Sequence, residues 1–244
     1  MLYALLYELM CRSFYCDLWG VKPLAYYVPV MLNLQGRRCV IVGGGDVAER
    51  KAISLLGAEA EIVVISPELT VTLQQRYEEG RLLWIKRHYQ SGDLDNAFLV
   101  FAATNQAEVN DAIVQEANSL SIPVNHTGDG EKGSFITPSV LRRQELIVAV
   151  STSGAGPGAS RDLCRNINEH YGDDYEVYIH FLSSVRSEVK KMVHHEELRK
   201  KIFRLLSEMD ILSQISAGTF REWDQDRIRY WIERVIAEHQ EEKR

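Results

Sequence analysis

The chain has 244 residues, 45% apolar and 25% charged, with 28 basic against 34 acidic side chains and a formal charge of −6. That length accommodates one large or two modest globular domains, each with its own core. The acidic balance argues against a general nucleic-acid binder, which needs a basic surface to neutralise phosphate.

The opening run Met1–Met10 is apolar, but it carries Glu8 and no basic residue ahead of it, so it does not read as an export signal. No segment approaches the ~18 consecutive apolar residues of a membrane span. Four scattered cysteines (Cys11, Cys16, Cys39, Cys164) lack zinc-site spacing and suit reduced thiols. The expectation is a cytoplasmic protein without a membrane partner. Residues 1–24 are read as an extension outside the fold.

The first structural signal is Arg38–Gly43, a β-branched run ending in glycines, as a buried parallel strand does. Asp46–Leu56 follows at helical spacing, and Glu61–Ser66 reads as a second strand, completing a βαβ unit of about 30 residues. Further strands are expected at Leu82–Lys86, Phe98–Ala102, Pro123–Asn125 and Leu146–Val150, with a helix over Gln106–Leu120. Strands alternating with helices imply an α/β, Rossmann-like, doubly wound parallel sheet over residues 25–150. Residues 151–244 read as a second, largely helical region. There Leu198, Ile202, Leu205 and Met209 share one helical face, as do Ile228, Trp231, Ile232 and Val235.

Gly43-Gly44-Gly45-Asp46-Val47-Ala48 is a G-x-G-x-x-A arrangement between a strand and a helix. Gly43 allows the tight turn, Gly45 lets a pyrophosphate approach the backbone, and Ala48 keeps the helix close to the sheet. The helix N-terminus supplies amide donors to the phosphates. The second strand ends at Ser66-Pro67 without the acid that usually grips a ribose, so Ser66, Pro67 or backbone groups must serve, and NAD is not separated from NADP there. Thr104 and Asn105, just beyond the fourth strand, belong to the edge that faces a dinucleotide, although Asn105 equally suits a helix N-cap.

The string Gly43 to Lys51, together with Val28–Leu34, Ala102–Asn105, Ser134–Pro138 and Ser151–Pro157, resembles the precorrin-2 dehydrogenases, including the dehydrogenase part of siroheme synthases. The match runs in order and spacing from about Tyr26 to Arg165. The resemblance implies NAD-dependent oxidation of precorrin-2 to sirohydrochlorin, to which some members add Fe²⁺ insertion. It also implies a homodimer with an exchanged middle segment, so that 151–244 combines a dimerisation segment with a helical domain. A substrate rich in carboxylates needs local cations, and Arg142, Arg143, Arg161 and Arg165 flank the loop carrying Ser153 and Gly154.

Two positions depart from the family pattern. Similar proteins place an acid/base and metal-site aspartate three residues after the asparagine of the fifth strand. Here Asn125-His126-Thr127-Gly128-Asp129 puts glycine there and the aspartate one residue later. Asp129 and His126 are therefore rival candidates for the proton-transfer role, with any metal ligands undetermined. Gly156 stands where many relatives have a serine linked to substrate contact and phosphorylation. Two other functional classes stay open: a chelatase proper, and a non-catalytic NAD- or tetrapyrrole-sensing module. His194 and His195 are adjacent on a helix, so their side chains diverge and read as surface groups.

Overall fold

In the computed structural model, residues 27–154 and 156–241 are described; the extension 1–24, with Cys11 and Cys16, lies outside them. The chain divides into two units, the first running to Thr137 and also taking in Ser153 and Gly154, the second comprising Pro138–Thr152 and the chain from Gly156 onward.

The first unit is built on the strand read from Arg38. β1 (Arg38–Val42) pairs in parallel with β2 (Glu61–Ile65) on one side and β4 (Leu99–Ala102) on the other. β3 (Leu83–Ile85) and β5 (Val124–His126) complete an all-parallel sheet of order β3-β2-β1-β4-β5. Alternation decides which side chain goes where. Cys39 and Ile41 pack on one face with Ala48, Ala52 and Leu55 of α1 (Asp46–Leu56) and Leu73 of α2 (Val71–Glu78). Val40 and Val42 pack on the other with Ile113, Val114 and Ala117 of α3 (Ala107–Ser119). Both faces are covered, as a parallel sheet requires, and the architecture is α/β, Rossmann-like and doubly wound. Cys39 is fully buried, and burial pushes its thiol up to about 11.

α2 escapes the periodicity reading because it buries only Leu73; its start is set by the Thr70 hydroxyl accepting the Leu73 N–H at 3.3 Å.

The strand at Leu146–Val150 exists, but it does not join the parallel sheet. As β7 it pairs antiparallel with β6 (Ser139–Arg143), and this hairpin packs against α4 (Pro157–His170). The division between units thus falls at Thr137/Pro138 rather than after residue 150. The reason lies in backbone pairing: the ladder partner of β7 is its sequence neighbour across a tight turn at Gln144, which takes a positive φ of 46°. β6 itself was invisible to an apolar pattern because every second residue is exposed and it ends in two arginines.

The second unit continues as α5 (Asp173–Met192), α6 (Glu196–Glu208), α7 (Ile211–Ser216) and α8 (Gln225–Glu241). Phe181, Val185, Val189, Ile202, Leu206, Ile228, Ile232 and Val235 form its core. Phe181 meets Phe220 and Trp223 edge-on at 5.3 Å in each case. No helix among the described residues is long and apolar enough to cross a membrane.

One carboxylate is enclosed in this helical core. Glu188 is 4% exposed, accepting from Arg229 Nε at 2.7 Å and Lys191 Nζ at 3.0 Å. The Arg229 guanidinium, with Lys191 second, holds its carboxyl below the usual range. A depressed carboxylate stabilises the fold above its unfolded-state value, near ~4.3, and loses that contribution as pH falls through the lower folded value. Arg229→Ala should therefore lower the melting temperature at pH 7. The gap from the unaltered protein should narrow below about pH 4. Circular-dichroism melts at both pH values check this, and an equal gap at pH 7 and pH 3 would assign the loss to packing alone.

Candidate functional site

The carboxyl ends of β1, β2 and β4 open onto a cleft of about 1150 Å³. It lies where the sheet order reverses, between β1 and β4, the place where doubly wound sheets bind ligands. Gly43, Gly44, Gly45, Asp46, Val47, Ser66, Pro67, Thr104 and Asn105 all line it. Ala48 does not; it is wholly buried under α1, where it holds the helix against the sheet.

The three glycines are glycine for different reasons. Gly43 has φ +125°, and a Cβ there would sit 2.2 Å from the Ala103 carbonyl oxygen. A Cβ on Gly44 would lie 1.9 Å from the Glu68 carbonyl oxygen, because the loop after β2 is drawn in by Thr70 N–H donating to Gly44 O at 2.9 Å. Both positions are demanded by the fold. Gly45 is different: a Cβ there would meet nothing within 4 Å. It caps the N-terminus of α1 in extended geometry without a side-chain cap. The helix's first amides therefore face open cleft, the arrangement that accepts a phosphate.

Opposite, Thr104 is fixed by Asn110, whose Oδ1 accepts the Thr104 N–H at 3.1 Å and its hydroxyl at 2.8 Å, while Nδ2 donates to Thr104 O at 3.0 Å. Asn110 is 4% exposed. Sequence reasoning missed it; an asparagine on the apolar face of a predicted helix was the available signal. Asn105 lines the cleft and is not the cap of α3, a position taken by Gln106.

Among the described residues, the charged side chains lining the cleft are Asp46, Glu68 and Glu108, with no lysine or arginine. The pyrophosphate charge would be met by backbone amides and the helix dipole, and a ribose 2′-phosphate would face Glu68 with no cation of that kind to pair it. Glu68 comes two residues after the position where sequence rules look for an acid. His88 and Tyr89, beyond β3, also line this end.

The candidate acid/base residues follow β5. Thr127 reaches the cleft, and its hydroxyl donates to Ala102 O at 3.0 Å. Asp129 is exposed on the loop beyond it, one carboxylate oxygen accepting the Glu131 N–H at 3.1 Å. His126 is 6% exposed, with Nδ1 accepting the Asp129 N–H at 2.8 Å.

The candidate substrate arginines belong to the second unit. Arg143 is engaged, donating to Asn168 Oδ1 at 3.0 Å and Asp173 at 2.8 Å. Arg165 lies 3.3 Å from Asp162, and Arg142 and Arg161 are exposed. Ser153 and Gly154 form a turn with φ of 51° and 89°.

Comparison with known proteins agrees with this geometry. Residues 30–139 match a family model described as "Putative NAD(P)-binding". The siroheme synthase of Methylobacillus flagellatus is 36% identical over 191 residues, 78% of this chain and 41% of that protein. That of Photorhabdus laumondii is 44% identical over 135 residues, 55% of this chain and 29% of that protein. The chain thus spans well under half the length of these siroheme synthases. The precorrin-2 dehydrogenase of Bacillus subtilis is 33% identical over 159 residues, 65% of this chain and 98% of that protein. A solved structure titled "SirC, precorrin-2 dehydrogenase" superposes with a TM-score of 0.67 at 23% identity, over 86% of this chain and 100% of that one, a likeness of fold. Identity of a third along virtually the whole Bacillus protein places this chain in the precorrin-2 dehydrogenase family.

Proposed function

We propose that the chain oxidises precorrin-2 to sirohydrochlorin with NAD⁺, in the cytoplasm. The observation that carries the reading is the open space above Gly45: two neighbouring glycines are sterically required, and the third leaves the start of α1 clear for a pyrophosphate. The residues present fit the cofactor. Gly43 to Val47 would hold the pyrophosphate, Ser66 to Glu68 the adenosine ribose, and Thr104 and Asn105 the nicotinamide ribose. The acidic lining favours NAD over NADP. When bound, NAD⁺ accepts the hydride. The oxidation also releases a proton, and the Asp129 carboxylate is assigned to take it. Arg142, Arg143, Arg161 and Arg165, of which Arg142, Arg161 and Arg165 are exposed, are assigned to the substrate carboxylates, with Ser153 and Gly154 as further candidate contacts. The Fe²⁺ insertion that some members add lies outside this proposal, which rests on the cofactor cleft. The family resemblance further supports a homodimer.

Anaerobic incubation with precorrin-2 and NAD⁺ should produce NADH and the sirohydrochlorin spectrum together; no NADH at any protein concentration sinks the assignment. Gly45→Val should fold normally, since its side chain enters open space, yet lose NAD binding by calorimetry. Undiminished affinity would make the glycine loop purely structural.

Asp129→Ala should lower kcat by about 10²–10⁴, the usual contribution of general-base assistance, with NAD affinity unchanged. Full turnover would send the proton to another acceptor.

Sedimentation at micromolar concentration should give twice the 27.9 kDa chain mass. A fully active monomer would rule out an exchanged-segment dimer.

A further inference from the structure

The exit of β5 holds a side-chain cluster whose geometry divides the two acid/base candidates. We infer that His126 is a positioning residue: its Nδ1 anchors the Asp129 backbone and so sets where that carboxylate stands. The inference rests on the dehydrogenase reading for the role of Asp129, not for the anchor itself.

A ring nitrogen that accepts an N–H carries no proton, so the Asp129 amide at 2.8 Å selects the neutral tautomer with hydrogen on Nε2. Nε2 in turn faces Asp111 Oδ1 of α3 at 3.5 Å, the right polarity but too long for a strong hydrogen bond, and no other partner among the described residues reaches it. A neutral imidazole so placed has no basic nitrogen to offer a substrate. It is more than nine-tenths buried and does not line the cleft.

The surrounding contacts hold the loop. Lys132 Nζ lies 2.7 Å from both oxygens of Asp111, and this ammonium keeps the Asp111 carboxyl below its usual range. The Lys132 N–H donates to Asp129 O at 3.2 Å. Tyr27 Oη donates to Gly130 O at 3.3 Å. The loop is thus tied to β5 through His126, to α3 through Asp111 and to the N-terminal segment through Tyr27. Asp129 sits at the point His126 controls. At Gly128 a Cβ would stand 3.4 Å from the imidazole Cε1. The ring therefore flanks Gly128 and anchors the aspartate that follows it.

Three replacements separate anchoring from proton transfer. His126→Asn keeps an acceptor at the δ1 position, His126→Gln keeps a polar group only near ε2, and His126→Leu keeps neither. Amide hydrogen exchange at Asp129, read by NMR on ¹⁵N-labelled protein without ligands, should stay protected in the Asn variant. It should quicken about five- to tenfold in the Gln and Leu variants, the equivalent of one ordinary hydrogen bond. The kcat for NADH formation should follow the same order, with NAD affinity unchanged. In the unaltered protein the ring ¹⁵N shifts should report a bare Nδ1 and a protonated Nε2, a reading that needs no variant to fold and no substrate to be right. An Nδ1–H tautomer, or an unprotected Asp129 amide, would overturn the anchor. An Asn variant as inactive as the Leu variant, with its Asp129 amide still protected, would instead make His126 the proton carrier.

Discussion

At the carboxyl edge of the sheet, three exits crowd so closely that neither Gly43 nor Gly44 has room for a Cβ. Gly43 abuts the Ala103 carbonyl leaving β4, and Gly44 abuts the Glu68 carbonyl leaving β2. The crowding follows from strand pairing: β1 lies between β2 and β4 with its last residue, Val42, opposite both Ile65 and Ala102. Three parallel strands ending in register must disperse their exits at one level. The chain does so by removing side chains from the middle one and pulling the β2 exit inward through Thr70. The helix that starts at Asp46 is then aimed at an opening and not at a wall.

This constraint explains which parts of the fold were legible in the sequence. Strands β1, β2 and β4 are buried on both faces and read as unbroken apolar runs, so they fall within a residue or so of the ranges read from the sequence. α1 matches from Asp46 to Leu56. α2 and β6 were not legible because each shows only part of itself to a core: α2 buries Leu73 alone, and β6 leaves every second residue exposed. The pairing of β7 with β6 was hidden for a further reason. An apolar strand carries no local mark of which sheet it will join, and only recognition of β6 next to it reveals the hairpin.

The site was legible in its glycines and not in its polar contacts. A backbone that must pass within a Cβ radius of another leaves glycine in the sequence, which is a readable consequence. Asn110 leaves only a fainter trace, a polar residue on the apolar face of α3. Its bonds to Thr104 depend on an α3 residue meeting a β4 loop, a tertiary match invisible along the chain. The same holds for Asp111, Lys132 and His126, whose cluster joins α3, the β5 loop and the end of β5. Their order in the sequence suggests nothing; their burial and distances do.

Under the proposed function, two modes of recognition are called for. In the first unit the cleft offers backbone amides at a helix N-terminus, with acidic side chains around them. The four arginines of the second are assigned to a polycarboxylate. A backbone-held phosphate site tolerates side-chain change except where a Cβ intrudes, so its chemistry survives wide divergence provided the glycines remain. A side-chain-held carboxylate site has no such protection, because each arginine can be diverted to a local partner, as Arg143 is to Asn168 and Asp173. The acid/base loop falls between these cases. Its carboxylate can shift by one residue along the chain, because what must persist is the position of the group in space, and buried side chains anchored elsewhere can restore that position. Under the proposed function Asp129 is such a group, its backbone held by the imidazole that accepts its N–H at 2.8 Å.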